Sequence, residues 1–349
     1  MTRIAIDAMG GDYAPAAIVD GAVWAALDYH VPIELVGKED EIKAELDRIA
    51  KKGINSNRGG YFKHKIKVNL DELDIKITNA NEVIEMGEAV GQAIRKKKNS
   101  SIVLAVEAVS KGSSDAVVAA GSTGAAMAAS LFGLGRLTGI ERPAIALTLP
   151  TVKRPFMLLD AGANSSSTPE MLYQFALMGT TFVKHVYGYE NPKVGVLNIG
   201  EEAGKGNELV QTAYKLLEEN QDGMNFIGNI EGKEIFKGAC DVVVCEGFVG
   251  NVALKTVEGS SSMLFEMIKQ EFGANIISKI IGLIAKPFMK RIYKRINYEE
   301  FGGALLLGIK GITVIAHGRS TSYAIKNAVR VAKEAVETGV NKKITEFFQ

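Results

Sequence analysis

A mainly parallel β-sheet with helices on both faces is predicted by three observations. Short apolar runs alternate with longer helical patterns along nearly the whole chain, which is how βαβ units read. The runs "DAVVAAG" and "CDVVVCEG" carry no polar alternation, as strands buried on both faces do not. Most runs end in glycine and small polar residues, the turn chemistry that carries a strand into a helix. In order, strands are expected near 3–8, 31–37, 115–121, 143–149, 156–161, 193–199, 225–229, 240–245 and 304–316. Between them, helices are expected near 15–28, 39–50, 81–97, 123–134, 169–187, 206–220, 250–271 and 320–338. No fixed-period repeat interrupts the pattern. Residues 51–65, "KKGINSNRGGYFKHK", are polar, basic and glycine-rich and read as a surface loop insertion.

The 349 residues are 47% hydrophobic and 23% charged, enough for a large core. Length alone allows one large α/β enzyme or two domains; a single α/β enzyme domain over 1–349, with room for two lobes around one cleft, is the expectation. A formal charge of +1 gives no global pull toward nucleic acid, which is not an expected partner. The two cysteines, Cys240 and Cys245, are too few for a disulfide framework and suit a reducing cytoplasm. Five apart on an expected strand, they should face opposite ways as small packed apolar groups. The opening "MTRIAIDAMGGD" lacks the apolar core of a signal peptide, and no run of about eighteen apolar residues occurs, so a soluble protein is expected.

Five turns concentrate at strand ends: "DAMGGD" after the first strand, "AGSTGA" (120–125), "LDAGAN" (159–164), "NIGEEAGKGNE" (198–208) and "CEGFVGN" (245–251). In open α/β sheets ligands bind beyond the carboxyl ends of strands, and glycine lets backbone N–H groups approach an anion there. The turns point to an anion site. No Gly-x-Gly-x-x-Gly follows a strand, and "GEEAGKG" (200–206) misses the P-loop spacing and its Ser or Thr, so neither a dinucleotide nor ATP is expected. The four histidines, His30, His64, His185 and His317, are scattered, and no metal motif or Gly-x-Ser-x-Gly elbow occurs. Neither a metal nor another cofactor is expected. Asp7 and Asp12 are equally compatible with bracing the first loop and with a direct catalytic role.

Residues 275–298, "NIISKIIGLIAKPFMKRIYKRINY", hold six Lys or Arg and no acid. At helical spacing Ile276, Ile277, Ile280, Ile281 and Ile284 share one face, with Lys279 and Lys286 opposite. Pro287 is expected to restart the register. Phe288, Met289, Ile292, Tyr293 and Ile296 then share a second face, with Lys290, Arg291, Lys294 and Arg295 opposite. Such a pair of helices fits an anionic membrane surface, an acidic partner protein, or inward packing with solvated lysines.

The motifs "DAMGGDYAP", "AGSTGAAM", "RPAIALTLPT", "LLDAGAN", "NIGEEAGKGNEL", "NFIGNIEG", "CEGFVGNVALKT", "YEEFGGALLLGIKG" and "AHGRS" together resemble, in order from residue 3 to about 335, the phosphate acyltransferase family of bacterial phospholipid synthesis. The resemblance implies the isocitrate/isopropylmalate dehydrogenase and phosphotransacetylase architecture. It also implies transfer of a long-chain acyl group from acyl carrier protein to inorganic phosphate, a homodimer, and delivery of acyl phosphate to a membrane glycerol-3-phosphate acyltransferase. The expected location is then the cytoplasm, peripherally at the inner face of the membrane. The chain departs from the pattern in the long 51–65 segment, at Gly87-Glu88-Ala89, and at Ser166 and Thr168.

For that reaction Lys205, Asn198, Asn251 and His317 are the expected catalytic groups: a cation, two amide donors and a proton source for the leaving thiolate. Gly121, Ser122, Thr123 and Gly124 would bind phosphate at a helix start. Further substrate contacts are expected from Asp7, Gly10, Gly11, Asp12, Asp160, Gly162, Asn164, Gly200, Glu201, Gly206, Asn207, Glu208, Asn229, Gly247 and Gly250. Ile277, Lys279, Ile280, Ile284, Lys286, Phe288, Lys290, Arg291, Lys294 and Arg295 would meet membrane or carrier protein. Each has a plainer reading: Lys205 a solvated loop lysine, the asparagines turn formers, His317 structural. Two other classes stay in view, a metal- and NAD-dependent dehydrogenase of the same architecture and a non-catalytic membrane-surface scaffold.

Overall fold

The computed structural model describes residues 1–58, 62–221 and 223–348. Its elements, in chain order, are β1 (Ile4–Asp7), α1 (Ala16–Tyr29), β2 (Ile33–Gly37), α2 (Glu39–Lys52), β3 (Ile54–Arg58), β4 (Phe62–Ile66), β5 (Ile75–Asn79), α3 (Val90–Lys96), α4 (Ser101–Ser110), β6 (Ala116–Ala119), α5 (Thr123–Leu134), β7 (Ala144–Leu149) and β8 (Phe156–Leu159). There follow α6 (Pro169–Val186), β9 (Lys193–Asn198), α7 (Glu208–Glu219), β10 (Asn225–Glu231), α8 (Gly232–Ile235), β11 (Val242–Val244), α9 (Gly247–Gly273), α10 (Ile276–Ile296), β12 (Ala304–Leu307), β13 (Ile312–Ile315), α11 (Ser322–Glu337) and α12 (Val340–Phe347).

Eleven strands form one sheet in the order β10-β9-β11-β8-β7-β12-β13-β6-β1-β2-β5. The outer groups pair in parallel, while β8–β7, β7–β12 and β12–β13 are antiparallel. The strands are short and apolar on both faces because helices cover both. Ile4, Ile6, Val118, Leu159, Val196, Val244 and Leu305 point into one continuous core with Trp24, Phe175 and Phe182. Their neighbours in the strands enter two clusters on the other face, one beneath α3, α4 and α5, the other around Leu158, Val243 and Leu306. Met127 and Leu134 of α5 pack against both. Burying a side chain the size of Phe175 is worth about 1.5–3 kcal/mol, so the sheet is held from both sides.

Several elements differ from the sequence expectation, each for a local reason. The expected 304–316 strand is two strands, because Gly308, at φ +93°, turns the chain back between β12 and β13. The expected helix over 81–97 shrinks to α3. The residues before it form a loop held by Glu88, which accepts from Lys97 Nζ and from the Glu85 N–H. β5 and α4 were not expected: Lys76 and Thr78 break up the apolar run of β5, and "SIVLAVEAVS" has too little polar face to read as a helix. Within 51–65, β3 and β4 pair as an antiparallel hairpin. Asn55 O accepts from Ser322 Oγ of α11, and residues 59–61 of that segment lie outside the described residues. Cys240 and Cys245 do not face opposite ways. The strand starts only at Val242, so alternation stops short of Cys240, and both thiols enter the same cluster.

The basic segment is one helix, not a pair. α10 runs through Pro287, and because it buries no residue, the carbonyl left without a partner there is free to take water. The step from Ile284 to Phe288 is four residues, so the two expected apolar faces join into one stripe ending at Ile296. α10 packs on α9 through Phe265 and Tyr293, whose ring centroids are 5.4 Å apart. No helix among the described residues is long and apolar enough to cross a membrane.

Candidate active site

The glycine turns gather in two sets. The first lies where β1, β6 and β13 end. Asp7 closes β1 almost wholly buried; its Oδ1 accepts the Met9 N–H at 3.2 Å, and Ser101 also bonds it. Burial raises the Asp7 carboxyl above its ordinary pKa, and these bonds offset that only in part. Gly10 and Gly121 touch here: a Cβ on Gly10 would stand 2.8 Å from Gly121 N and 2.7 Å from Asp7 Oδ2. The Asp12 N–H reaches Gly318 O at 2.7 Å, tying the β1 loop to the loop after β13. Ser122 Oγ accepts the Ala125 N–H at 3.3 Å and caps α5, leaving the helix with first-turn N–H groups that have no partner within it.

That loop also supplies two groups side by side. His317 Nδ1 accepts the Arg319 N–H at 3.1 Å, which in the neutral ring leaves the proton on Nε2. The exposed Arg319 guanidinium lies 3.8 Å from Asp12 Oδ2. Arg319 and Ser101 belong to this set and were not singled out from the sequence. "AHGRS" did carry a signal for the arginine, whereas Ser101 gave none.

The second set lies where β8, β9, β10 and β11 end. Asp160 is fully buried and accepts five hydrogen bonds: from Ile145 N at 3.0 Å, Gly162 N at 3.1 Å, Ala163 N at 2.8 Å, Asn164 N at 2.8 Å and Asn164 Nδ2 at 2.9 Å. The Asp160 carboxylate, expected as a substrate contact, is enclosed here and engaged by its own loop and by Ile145 of β7. Asn164 Nδ2 also donates to Pro143 O at 2.9 Å, so both its hydrogens are used inside the protein. The first turn of α9 sits directly on this loop. A Cβ on Gly247 would come 2.2 Å from Asn164 O, and one on Gly162 3.3 Å from the Asn251 Cβ.

Next to it, Asn198 folds the 198–206 loop. Its Oδ1 accepts the Ile199 N–H at 2.7 Å and its Nδ2 donates to Lys205 O at 3.0 Å. Asn229, buried, donates to Glu202 O at 2.8 Å, and Asn207 caps α7 by accepting the Val210 N–H at 3.0 Å. These asparagines are turn formers here. Glu201, Glu202 and Glu208 are exposed, Glu208 in the first turn of α7, where the dipole suits a carboxylate. Among the described residues, Lys205 and Asn251 keep their polar ends out of the loops' own bonds. Both are exposed, and they stand at the ends of neighbouring strands, since β11 pairs with β9. The buried thiols offer no competing nucleophile: burial raises both, Cys240 up to about 12 and Cys245 further.

The two sets do not leave one carboxyl edge of the sheet. Three antiparallel pairings separate them, so β1, β6 and β13 run opposite to β8, β9 and β11. They meet at the four-residue β12. Ala304 pairs with Ile315 at the end of β13, while Leu306 pairs with Ile145, whose N–H meets Asp160. Along the strand direction the two levels differ by two residues, about 7 Å.

Residues 2–343 match the family model described as fatty acid synthesis protein. The chain is 48% identical over 340 residues to a phosphate acyltransferase of Halothermothrix orenii, covering 97% of this chain and 96% of the relative. It is 50% identical over 335 residues to one of Pelotomaculum thermopropionicum, covering 96% and 92%. Among solved structures, a phosphotransacetylase from Streptococcus pyogenes superposes with a TM-score of 0.61 at 16% identity, covering 96% of this chain and 94% of that one. A 4-hydroxythreonine-4-phosphate dehydrogenase from Salmonella typhimurium gives 0.51 at 15% identity, covering 96% and 99%. At such identities these structures speak to the fold.

Proposed function

The chain belongs to the fatty acid synthesis protein family of phosphate acyltransferases and is an acyltransferase. From that premise we propose that it moves a long-chain acyl group from acyl carrier protein to inorganic phosphate by direct attack on the thioester. The observation that carries this reading is the pair Lys205 and Asn251. They are two polar ends left out of their loops' own bonds, at neighbouring strand ends, with no reactive thiol beside them.

Direct attack asks little of a protein. Phosphate has a second pKa of about 6 and is largely dianionic at neutral pH, so it needs no strong base. A thiol of pKa about 8.5 leaves readily. A phosphate oxygen forms the new bond to the acyl carbon, the carbon–sulfur bond breaks, and the thiolate takes a proton. The remaining work is to hold two partners together and to stabilise the oxyanion. Lys205 neutralises charge at the reacting centre, Asn251 donates to the thioester oxygen, and the Gly121–Gly124 helix start seats phosphate, with Arg319 adding a cation. The proton the thiolate takes is the one hydrogenphosphate gives up on becoming acyl phosphate, and His317, with its N–H on Nε2, donates a hydrogen bond to the leaving sulfur. The two loop sets must face one another across β12 for this to happen.

The acyl chain and the carrier need an apolar and a basic surface, and α10 offers both. Ile277, Ile280, Ile284 and Phe288 are each more than half exposed on one stripe, and Lys279, Lys286, Lys290, Arg291, Lys294 and Arg295 share the helix. We assign this surface to peripheral contact with an anionic membrane, where acyl phosphate is handed on, and take the working unit to be a homodimer.

The test is turnover of palmitoyl–acyl carrier protein with inorganic phosphate, following released carrier thiol and hydroxylamine-trappable acyl phosphate beside Lys205→Ala. Phosphate-dependent release of both, lost in the variant, supports the reading. Thiol release without acyl phosphate refutes it.

A further inference from the structure

Asp160 and Asn251 exchange no hydrogen bond, yet the fold links them through two glycines, Gly162 and Gly250. Both Asp160 oxygens are engaged by the 160–164 loop, whose N–H groups at Gly162, Ala163 and Asn164 all turn inward to the carboxylate. That leaves Gly162, at φ +124°, with its Cα against the Asn251 side chain; a Cβ there would lie 3.3 Å from Asn251 Cβ and 3.4 Å from Cγ. The other side of the seat is equally fixed. Gly250, one residue before Asn251, lies so near the Asp160 carbonyl oxygen that its Cβ would stand 1.9 Å away. Asp160 therefore meets Asn251 from two sides, through its carboxylate by way of Gly162 and through its carbonyl by way of Gly250.

We infer that Asp160 is a positioning residue for the Asn251 carboxamide: its buried carboxylate holds the 160–164 loop as the seat that aims this amide at the reacting carbonyl. The inference rests on the reading of Asn251 as an oxyanion donor. It differs from a merely structural role in one respect: its effect on rate must pass through Asn251. Replacing Asp160 by Asn turns one acceptor into an NH₂ group facing backbone N–H donors, so the loop must open on that side. An amide displaced by about 1 Å costs on the order of 100-fold in rate, because near-attack geometry is lost.

The experiment is a double-mutant cycle on steady-state acyl phosphate formation by the full chain, with Asp160→Asn and Asn251→Ala alone and together. Asn251→Ser carries the cycle if the alanine variant has no turnover above background. Asp160→Asn is expected to lower kcat about 30- to 100-fold with KM for phosphate within threefold, and to cost less than threefold once Asn251 is gone. Asp160→Glu, which keeps a carboxylate but shifts it against the N–H groups of Gly162, Ala163 and Asn164, should show the same dependence and serves where Asp160→Asn does not fold. Losses that multiply in the double variant overturn the inference and make Asp160 a general loop brace. Asn251→Ala at wild-type kcat overturns the role of Asn251, and the inference with it, while acyl transfer itself stands.

Discussion

Gly250 of α9 lies against the carbonyl oxygen of Asp160 at a separation no side chain fits, with an added Cβ only 1.9 Å from that oxygen. The obstacle is backbone and cannot swing aside. Gly250→Ala should therefore cost about 3 kcal/mol of stability, the upper part of the overpacking range. Gly259, in the same helix, has nothing within 4 Å of an added Cβ, and Gly259→Ala should instead gain up to about 1 kcal/mol. Denaturant titration of the two variants checks this; equal shifts would show that α9 does not sit on the 160–164 loop.

Lys205→Ala should lower kcat by about 100- to 1000-fold, as loss of one electrostatic contact to a developing oxyanion does. The melting temperature should stay where it is, because the side chain is exposed and carries no bond of the fold. Lys205→Arg should recover part of the rate. A melting shift that tracks the loss would mean that the loop, not the charge, had failed.

Asp7 gives a pH signature of unusual sign. Its carboxyl is raised by burial, against the pull of Ser101 and the Met9 and Gly10 backbone. The folded form therefore holds the proton more tightly than the unfolded chain, and the stability this brings is complete below the unfolded pKa and lost as pH rises through the folded one. Asp7→Asn cannot charge, so its stability relative to wild type should improve as pH rises from about 4 through the folded-state pKa of Asp7 and then level off. Thermal melts of both proteins across that span measure it, and a constant difference would refute the buried, strained carboxylate.

Ile280→Asp with Ile284→Asp should abolish flotation with anionic vesicles while leaving the melt unchanged, since both residues are more than half exposed. Each basic residue near such a surface adds about 1 kcal/mol, so wild-type binding should also fade with salt and on neutral lipid. If the double variant still floats, the stripe of α10 is not what meets the membrane.

The parallel strands were legible because burial on both faces strips them of polar residues, as in Val242–Val244. β5 was not, since at the sheet edge Lys76 and Thr78 alternate with Ile75 and Ile77. In "ALLLGIKGITVI" the local mark of two strands is Gly308, whose positive φ turns the chain, while the partners that flank the hairpin, β7 and β6, lie far away in the chain. At the site, residue types were readable and their orientation was not. Asn198, Asn207 and Asn251 look alike in sequence, yet the first two spend their amides on loop bonds and the third does not. Asp160 could be seen to matter, but only its five donors show that it faces inward.

The short β12 also sets an order of events during synthesis. Leu307 pairs with Ala144, 163 residues earlier, and β13 reaches back still further to β6. At about 5–20 residues per second, a ribosome needs on the order of 10 s to bring β12 out after β7 has emerged. Through that interval β6 and β7 each wait with an open, apolar edge. A chain stopped before residue 304 would carry two half-sheets with those edges bare, the condition under which strands find partners in other molecules. Chaperone demand should thus fall on unfinished chains of this protein, and end with the delivery of β12, which covers β7, and of β13, which covers β6.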